Sequence, residues 1–342
     1  MDFADRHQLT PLFAELARTK NSLRAAKIAA AYEEIAGLFD HVVLKGFTHV
    51  PDFVEDFRLR TQYDLDLYVP DGERDIAWKK LLTIGYEPIE ELEGLAADHL
   101  PTLVRKTNWE WRGDYFDPEI PVSIEVHFQF WDMKTDRLRA DGIENFWARR
   151  QDNSLHPVDK LGYAALHLTR HLFRGHVRAF HAWELARFLH TRHDQDFWRT
   201  WRELHSPSLR RMEAVAFLLA RTWFACDLSP EAASEVAALP DKVRRWFEKY
   251  GWSPLDPQPN KHELALQLAL IEPIGDRLRV LRRKLLPSTL PGPVDAVHVP
   301  EDRMTLFRRL KKQSRYVAYL GSRALFHLRL LVPTLLQNIR ER

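Results

Sequence analysis

The sequence contains one cysteine, Cys226, among its 342 residues. A single thiol cannot form an intramolecular disulfide or supply a cysteine-rich zinc site, and it fits a reducing cytosol. No apolar run reaches the roughly 18 residues that a membrane-spanning helix needs. The segment from Met1 to Asp5 also lacks the apolar core of a signal peptide. We therefore expect a cytoplasmic protein.

The net charge of the chain is also small, at +2. The chain as a whole is therefore not expected to bind nucleic acid, although a local basic patch can attract a polyanion. A glycine-rich phosphate loop ending in Gly-Lys-Ser/Thr is absent, which argues against a P-loop kinase or ATPase. A hydrophobic fraction of 45% predicts a packed core instead of global disorder.

Two acidic residues alternate with apolar ones in the segment from Tyr63 to Val69. Strand side chains have a period of two, so Asp64 and Asp66 point to the same face while Leu65 faces a core. Two carboxylates on one face repel each other unless a cation lies between them, and their hard oxygen atoms suit magnesium. The alternative is a solvated strand face.

A second alternating segment, from Ser123 to Phe128, presents Glu125 and His127 on its polar face. If this strand lies beside the first, Glu125 joins Asp64 and Asp66, and three carboxylates can hold metal ions that clamp a phosphoryl group. The alternative is the polar outer face of an antiparallel sheet. His127 can accept a proton from an acceptor hydroxyl, or it can hydrogen-bond to a carboxylate of the site.

A basic turn precedes both segments. Lys45 follows an apolar β-forming run, and Gly46 breaks that run before a helix-compatible segment. Lys45 and the backbone N–H groups of Gly46 and Phe47 are placed to bind phosphate oxygens, although an exposed lysine at a turn is the alternative. Arg60 can form a bidentate contact with a phosphate or can pair with Asp64, and the sequence leaves both open.

Together these segments resemble the polymerase-β-type nucleotidyltransferase superfamily, and in particular its group of uncharacterised nucleotidyltransferases. The resemblance is specific from about Val42 to Trp131, and weaker through histidine-rich helices to about Asp227. The motifs that carry it are Leu44-Lys45-Gly46, Arg60-x-x-x-Asp64-x-Asp66-Leu67, the helix closing at Gly85-Tyr86, and Glu125-Val126-His127-Phe128.

The resemblance implies a magnesium- or manganese-dependent enzyme that binds a nucleoside triphosphate and transfers its nucleoside monophosphate to a hydroxyl group. It places Lys45 and Gly46 on the phosphate-binding turn and Arg60 on the upstream basic position. Asp64 and Asp66 correspond to the metal pair, and Glu125 to the third carboxylate. The acceptor that it suggests is a small molecule or a peptide in a natural-product or polysaccharide pathway.

One departure from the superfamily matters, because Lys45 and Gly46 stand where better-known members carry Gly-Ser. Activity therefore does not follow from membership alone. A protein that binds nucleotide or polyanion without turnover is one alternative. A membrane-surface or RNA-binding adaptor that works through its basic C-terminal helices is another.

The predicted fold class is α+β, with two domains. Residues 1–131 form a small mixed-sheet nucleotidyltransferase domain that includes two N-terminal helices between Leu9 and Phe39. We further predict a helix from Glu73 to Ile84, an edge strand from Tyr86 to Ile89 and a hairpin around Arg112. Residues 132–342 form an all-α domain that selects the acceptor. Its predicted helices are Val158–Arg174, Ala179–Arg192, Phe197–Leu204, Leu209–Cys226, Pro230–Ala238, Lys242–Tyr250 and His262–Leu286, followed by one or two helices from Glu301 to Arg342.

Two features of the helical part invite a functional interpretation. His167 and His171 lie four residues apart on one helix face, with His176 and His181 further on, so we considered a zinc site. The metalloprotease signature is absent, because Leu168 follows His167, and we favour histidines that line a core or cleft. The second feature is the basic amphipathic C-terminal segment. It can lie on an anionic membrane surface, but we favour its packing on the protein's own core.

Overall fold

The computed structural model describes residues 11–285 except 57, 59, 90–97, 111–112, 115–116, 176 and 257–261, together with single positions between 317 and 329. The tip of the predicted hairpin around Arg112 and the residue His176 therefore lie outside the described residues. So does nearly all of the basic C-terminal segment, apart from a few helical positions.

A mixed five-stranded sheet forms the first half of the described fold, in the order β1-β2-β5-β4-β3. Its strands are β1 (Val42–Val43), β2 (Asp64–Tyr68), β3 (Tyr86–Pro88), β4 (Leu103–Arg105) and β5 (Ser123–His127). β2 and β5 are parallel neighbours, and their register places Asp66 opposite Glu125. The other pairs are antiparallel. The predicted strand at Tyr86 is confirmed as the edge strand β3.

The two faces of the sheet meet different cores, as the alternation predicts. Leu65 and Leu67 of β2 are fully buried in one cluster, together with Ile28 and Ile35. These two residues belong to helix α1 (Pro11–Ile35), which packs behind the sheet. Tyr68, which follows Asp64 and Asp66 on the opposite face, belongs to a second cluster formed mainly by helices. The polar face of β2 therefore lies at the junction of sheet and helices.

The N-terminal segment is one helix, so the prediction of two helices between Leu9 and Phe39 is wrong. We expected a break at Asn21 or Ser22 because both residues favour helix N-caps. Within α1, however, the Ser22 hydroxyl donates to the carbonyl of Arg18 at 2.9 Å. The Asn21 side chain instead accepts a hydrogen bond from Thr61 at 3.0 Å. Satisfied polar side chains of this kind do not require the helix to end.

Helix α1 also fixes the chain that enters β2. The buried Arg24 side chain donates from Nε to the carbonyl of Gln62 at 3.0 Å and from Nη2 to the carbonyl of Tyr63 at 2.7 Å. These carbonyl groups lie just before the strand, and that of Tyr63 also accepts the N–H of Ser123 in β5 at 3.4 Å. The guanidinium group thus positions the start of β2, and with it Asp64.

The remaining described chain is mainly helical, which confirms the predicted α+β class. The helices are α2 (Arg74–Thr83), α3 (Met133–Asp136), α4 (Pro157–Arg174), α5 (Ala179–Thr191), α6 (Gln195–Leu204), α7 (Pro207–Phe224), α8 (Pro230–Ala237), α9 (Asp241–Tyr250), α10 (His262–Leu270) and α11 (Ile274–Leu285). No helix within the described ranges is long and apolar enough to cross a membrane. The proposed domain boundary at residue 131 stays a prediction.

One predicted helix, from His262 to Leu286, is in fact two, namely α10 and α11. Pro273 lies between them, and its ring disfavours helical geometry at Glu272 while removing one backbone donor. The N–H groups of Asp276 and Arg277 then bond to the carbonyl of Pro273, both at 3.1 Å, as the new helix begins. The sequence prediction gave too little weight to this single proline.

A buried charge cluster joins three helices in the core of the second half. His205, which follows α6, contacts Asp159 of α4 at 3.1 Å through Nε2 and Glu213 of α7 at 2.9 Å through Nδ1. All three side chains are buried. Burial by itself lowers the pKa of His205, but Glu213 and Asp159 outweigh it and raise the pKa to about 9.

This cluster predicts a pH-dependent stability. The pKa of His205 in the folded protein, about 9, exceeds its ordinary value of 6.5. The stabilisation by protonated His205 is therefore complete below about pH 6.5 and is lost as pH rises through 9. We expect the free energy of unfolding, measured in urea, to fall by on the order of 3 kcal/mol over this interval.

A matched pair of variants tests the assignment. His205→Gln should remove this part of the pH dependence, whereas substitution of the exposed His193 by Gln should leave it as in the wild type. An unchanged pH profile in His205→Gln would show that other groups cause it.

Candidate active site

A tight turn carries Lys45 to the polar face of the sheet. The 3-10 helix Gly46–His49 begins directly after Lys45, which confirms the predicted helix start. Gly46 has a φ of +80°, and a Cβ atom there would lie 2.3 Å from the Gln62 side chain. Gln62 in turn donates to the carbonyl of Asp64 at 2.7 Å. Glycine is favoured at this position, because a φ of +80° is strained for other residues and a Cβ atom would displace the Gln62 side chain.

The Lys45 ammonium group is the cation that lies between the two aspartates. Its Nζ is 3.0 Å from Oδ2 of Asp66 and 3.7 Å from Oδ2 of Asp64. The Asp66 side chain is only 2% exposed, whereas that of Asp64 is 30% exposed. Burial raises the pKa of Asp66, but Lys45 and the hydrogen bond from His127 lower it below its ordinary value. Asp66 is thus a buried carboxylate that stays ionised.

The parallel register brings Glu125 beside Asp66, as the sequence predicted. His127 lies between them, with Nε2 3.2 Å from Oδ1 of Asp66 and 3.7 Å from Oε2 of Glu125. The ligand atoms of these three residues all lie within 4.8 Å of one another, which is close enough for one metal ion to bind them together. Thr102 of the loop before β4 donates to Oε1 of Glu125 at 3.5 Å.

A row of alternating charges continues from this point into the helices. Its members are Lys45, Asp66, His127, Asp98 and Arg170, and we call it the charge row. Nδ1 of His127 is 3.7 Å from Oδ2 of Asp98, which also accepts a hydrogen bond from Nη1 of Arg170 in α4. Burial raises the pKa of Asp98, but His127 and Arg170 hold it far below its usual range. The row therefore pairs each buried charge with the opposite one.

His127 is protonated in this environment. Burial lowers the pKa of His127, but Tyr163 and the nearby carboxylates of Asp66, Asp98 and Glu125 raise it well above 6.5. Tyr163 has a raised pKa of its own because it is buried, so at neutral pH it is uncharged and the three carboxylates dominate. A charged imidazole donates from both ring nitrogens.

Arg60 is buried and has a partner that the sequence did not indicate. Its Nε donates to Oε1 of Glu184 in α5 at 2.7 Å, and the other oxygen of Glu184 lies 3.7 Å from Nδ1 of His49. Glu184, and not Asp64, is therefore the ion-pair partner of Arg60 in the part of the chain described. The phosphate contact stays a prediction. A pocket beside this pair is lined by Lys45, His49, Phe53, Arg60, Tyr163, Ala164, His167, His181, Glu184 and Leu185.

Three of the four histidines in the histidine-rich segment come together at this pocket. We call His167, His171 and His181 the histidine cluster. Nε2 of His167 is 3.0 Å from Nε2 of His171 and 3.5 Å from Nζ of Lys45. The ring of His181 lies 4.8 Å from that of His167, measured between centroids. The favoured interpretation, histidines that line a cleft, agrees with this position for two of the three.

Sequence reasoning missed three residues of this site: Asp98, Arg170 and Glu184. A usable signal existed for the last two. Both lie on the buried faces of amphipathic helices, where a charged side chain requires a partner of opposite charge. Asp98 gave no such signal, because it follows an irregular acidic segment with no periodic pattern.

Comparison with known proteins identifies one related family. Residues 2–225 match a family model described as "Uncharacterised nucleotidyltransferase". No curated protein and no solved structure matches this chain. The matched range includes the turn at Lys45, the carboxylates of β2 and β5, and the histidine cluster.

The charge row predicts a strong energetic coupling between Arg170 and Asp98. Arg170→Met leaves the buried carboxylate of Asp98 with only the 3.7 Å contact to His127, so we expect the free energy of unfolding to fall by about 3–5 kcal/mol. Adding Asp98→Asn in the same chain should restore much of that loss. Urea unfolding of the wild type, both single variants and the double variant measures the coupling. Additive losses would show that the two side chains do not act together.

Proposed function

This chain belongs to the family of uncharacterised nucleotidyltransferases, and on that basis we propose how its site works. Its family makes it a nucleotidyltransferase. We propose that it transfers a nucleoside monophosphate from a nucleoside triphosphate to an acceptor hydroxyl, with a divalent metal ion held by Asp64, Asp66 and Glu125. The observation that supports this most is the parallel register of β2 and β5, which puts Asp66 directly opposite Glu125.

The donor set fits magnesium or manganese. Oδ2 of Asp66 is buried and makes no hydrogen bond, although it is paired in charge with Lys45. Glu125 keeps a lowered pKa, because His127 outweighs the effect of burial, so both carboxylates are ionised at neutral pH. Hard anionic oxygens are the preferred ligands of these ions. When bound, such an ion would neutralise charge on the transferred phosphoryl group and would help to activate the acceptor hydroxyl.

We assign the triphosphate to the basic side of the site. Lys45 and Arg60 line one pocket, and Lys45 directly precedes the turn at Gly46 and Phe47. Lysine and arginine bind phosphate oxygens through charge-assisted hydrogen bonds. Glu184 fixes the Nε edge of Arg60, so the orientation of the guanidinium group is set before any substrate binds.

The two remaining site residues, His127 and Glu125, have different roles. We assign to His127 the orientation of Asp66, through the 3.2 Å contact between Nε2 and Oδ1. The Glu125 side chain is 27% exposed, so its carboxylate can be reached from solvent. We propose that Glu125 accepts the proton of the acceptor hydroxyl. Attack of that oxygen on the α-phosphorus releases pyrophosphate.

The acceptor that we propose is a small molecule or a peptide of a natural-product or polysaccharide pathway. This part of the proposal is supported by the family resemblance alone.

A second candidate is a protein that binds nucleotide without turnover, and one observation favours it. The Lys45 ammonium group already neutralises Asp64 and Asp66 at 3.7 and 3.0 Å, in the place where catalysis requires a metal ion. Calorimetry separates the two candidates, because nucleotide binding without magnesium-dependent pyrophosphate release would support this alternative.

We predict that Asp66→Asn and Glu125→Gln each lower magnesium-dependent pyrophosphate release at least about a hundredfold, the scale at which a positioned catalytic group contributes. Asp66 would lose a metal ligand, and Glu125 would lose both a ligand and its basic oxygen. Each of the four nucleoside triphosphates is incubated with candidate acceptors, and mass spectrometry identifies the product.

The matched control is Asp75→Asn on α2, because this side chain is 81% exposed and belongs to neither the carboxylate site nor the pocket. It should retain wild-type activity. Release at the wild-type rate by Asp66→Asn would refute the assignment of the metal pair.

A further inference from the structure

The histidine cluster is held by two neighbouring helices. His167 and His171 lie one turn apart on α4, so their side chains share one face of that helix. His181 lies in the first turn of α5, after the short connection at Gly175. The described backbone on both sides is helical, so the three side chains come from fixed positions. All three are partly buried beside the pocket that contains Lys45.

The spacing of the ring nitrogens fits one metal ion. A tetrahedral zinc site with Zn–N bonds of 2.0–2.1 Å places two ligand nitrogens about 3.4 Å apart. Nε2 of His167 and Nε2 of His171 are 3.0 Å apart, and a ring nitrogen of each of the three histidines lies within 4.8 Å of the others. These separations are compatible with one ion bound by all three rings after small rotations of the side chains.

The three rings are also in the protonation state that a metal ligand needs. Burial, reinforced by neighbouring cations, lowers the pKa of His171 to about 3 and lowers the pKa values of His167 and His181 well below 6.5. The imidazoles are therefore neutral at pH 7 and each offers a lone pair. In addition, Nδ1 of His181 is buried and has no hydrogen-bond partner. A buried polar atom without a partner is costly unless a ligand or an ion uses it.

Five cations act on the cluster, and carboxylates pair with three of them. The five are Lys45, Arg60, Arg170, Arg174 and Arg178, and the paired ones are Lys45, Arg60 and Arg170. Lys45 approaches His167, with Nζ 3.5 Å from Nε2, but the same ammonium group is paired with Asp66 at 3.0 Å. Glu184 acts from the other side, where its carboxylate raises the pKa of His181 against the effect of burial. The positive charge of Lys45 is therefore balanced before an ion arrives.

We propose that His167, His171 and His181 form a binding site for a transition-metal ion, with zinc as the first candidate, separate from the carboxylate site. Imidazole nitrogens prefer zinc, cobalt, nickel and copper, whereas the oxygens of Asp66 and Glu125 prefer magnesium or manganese. Three protein ligands leave a fourth position for water or substrate, as in catalytic zinc sites. The inference uses only the histidine cluster, so it does not depend on the proposed transferase reaction.

Cobalt(II) provides the most direct test, because four-coordinate cobalt absorbs visible light far more strongly than six-coordinate cobalt bound by carboxylates and water. The full-length protein, freed of metal by a chelator, is titrated with cobalt chloride. We expect strong visible bands that saturate at one ion per chain. Zinc added afterwards should displace the cobalt and remove the bands.

Variants locate the ion. His167→Gln combined with His171→Gln should weaken cobalt binding at least about a hundredfold, since even the loss of groups that support metal ligands weakens binding ten- to a hundredfold. His190→Gln is the matched control, because His190 lies on the same helix as His181 and is 55% exposed. Glu125→Gln should keep the strong bands, which separates this site from the proposed magnesium site, and it leaves the pairing of Lys45 with Asp66 intact. Circular dichroism shows whether each variant is folded.

Any one of three results would overturn the proposal. The first is the absence of strong cobalt bands from the wild type. A cobalt titration of the wild type that matches that of the double variant would have the same meaning. The second comes from X-ray absorption of the zinc-loaded wild type, if it shows only oxygen ligands and no imidazole scattering. If His167→Gln and His171→Gln weaken pyrophosphate binding but leave metal binding unchanged, the cluster belongs to a phosphate pocket and not to a metal site.

Discussion

The ionised carboxylate of Asp66, buried where the sheet meets the helices, is the constraint on which the described site depends. A buried charge destabilises a fold unless cations and hydrogen-bond donors surround it. Here Lys45 and His127 flank the carboxylate, and His127 in turn requires Asp98, which requires Arg170. The turn after β1, the strand β5 and the helix α4 therefore each supply a residue to the row of contacts that begins at the Asp66 carboxylate.

The same arrangement explains why the helices matter for the site. The strands supply the three carboxylates, but the helices supply Arg170, the partner of Asp98, and Glu184, the partner of Arg60. They also supply the histidine cluster on the far side of Lys45. The site thus combines an oxygen-rich side on the sheet with a nitrogen-rich side on the helices, and the Lys45 ammonium group contacts both.

Local periodicity made half of this site predictable. The alternation in β2 and β5 correctly placed Asp66, Glu125 and His127 on one face, because strand side chains alternate whatever lies around them. Arg60 was harder, because its partner Glu184 is 124 positions away in the sequence and no local pattern reports such a pair. The predicted start of a second helix at Asn21 was wrong for a related reason. Asn21 favours an N-cap, but a contact with the distant Thr61 satisfies it inside α1.

The central claim is that the carboxylates of β2 and β5 bind a catalytic divalent ion. The most direct measurement is anomalous X-ray diffraction from crystals grown with manganese and a non-hydrolysable nucleoside triphosphate. The account predicts a manganese peak in contact with Asp66 and Glu125, with the triphosphate beside Lys45. A nucleotide bound in the pocket while Lys45 still bridges Asp64 and Asp66, and no manganese peak at these carboxylates, would contradict it.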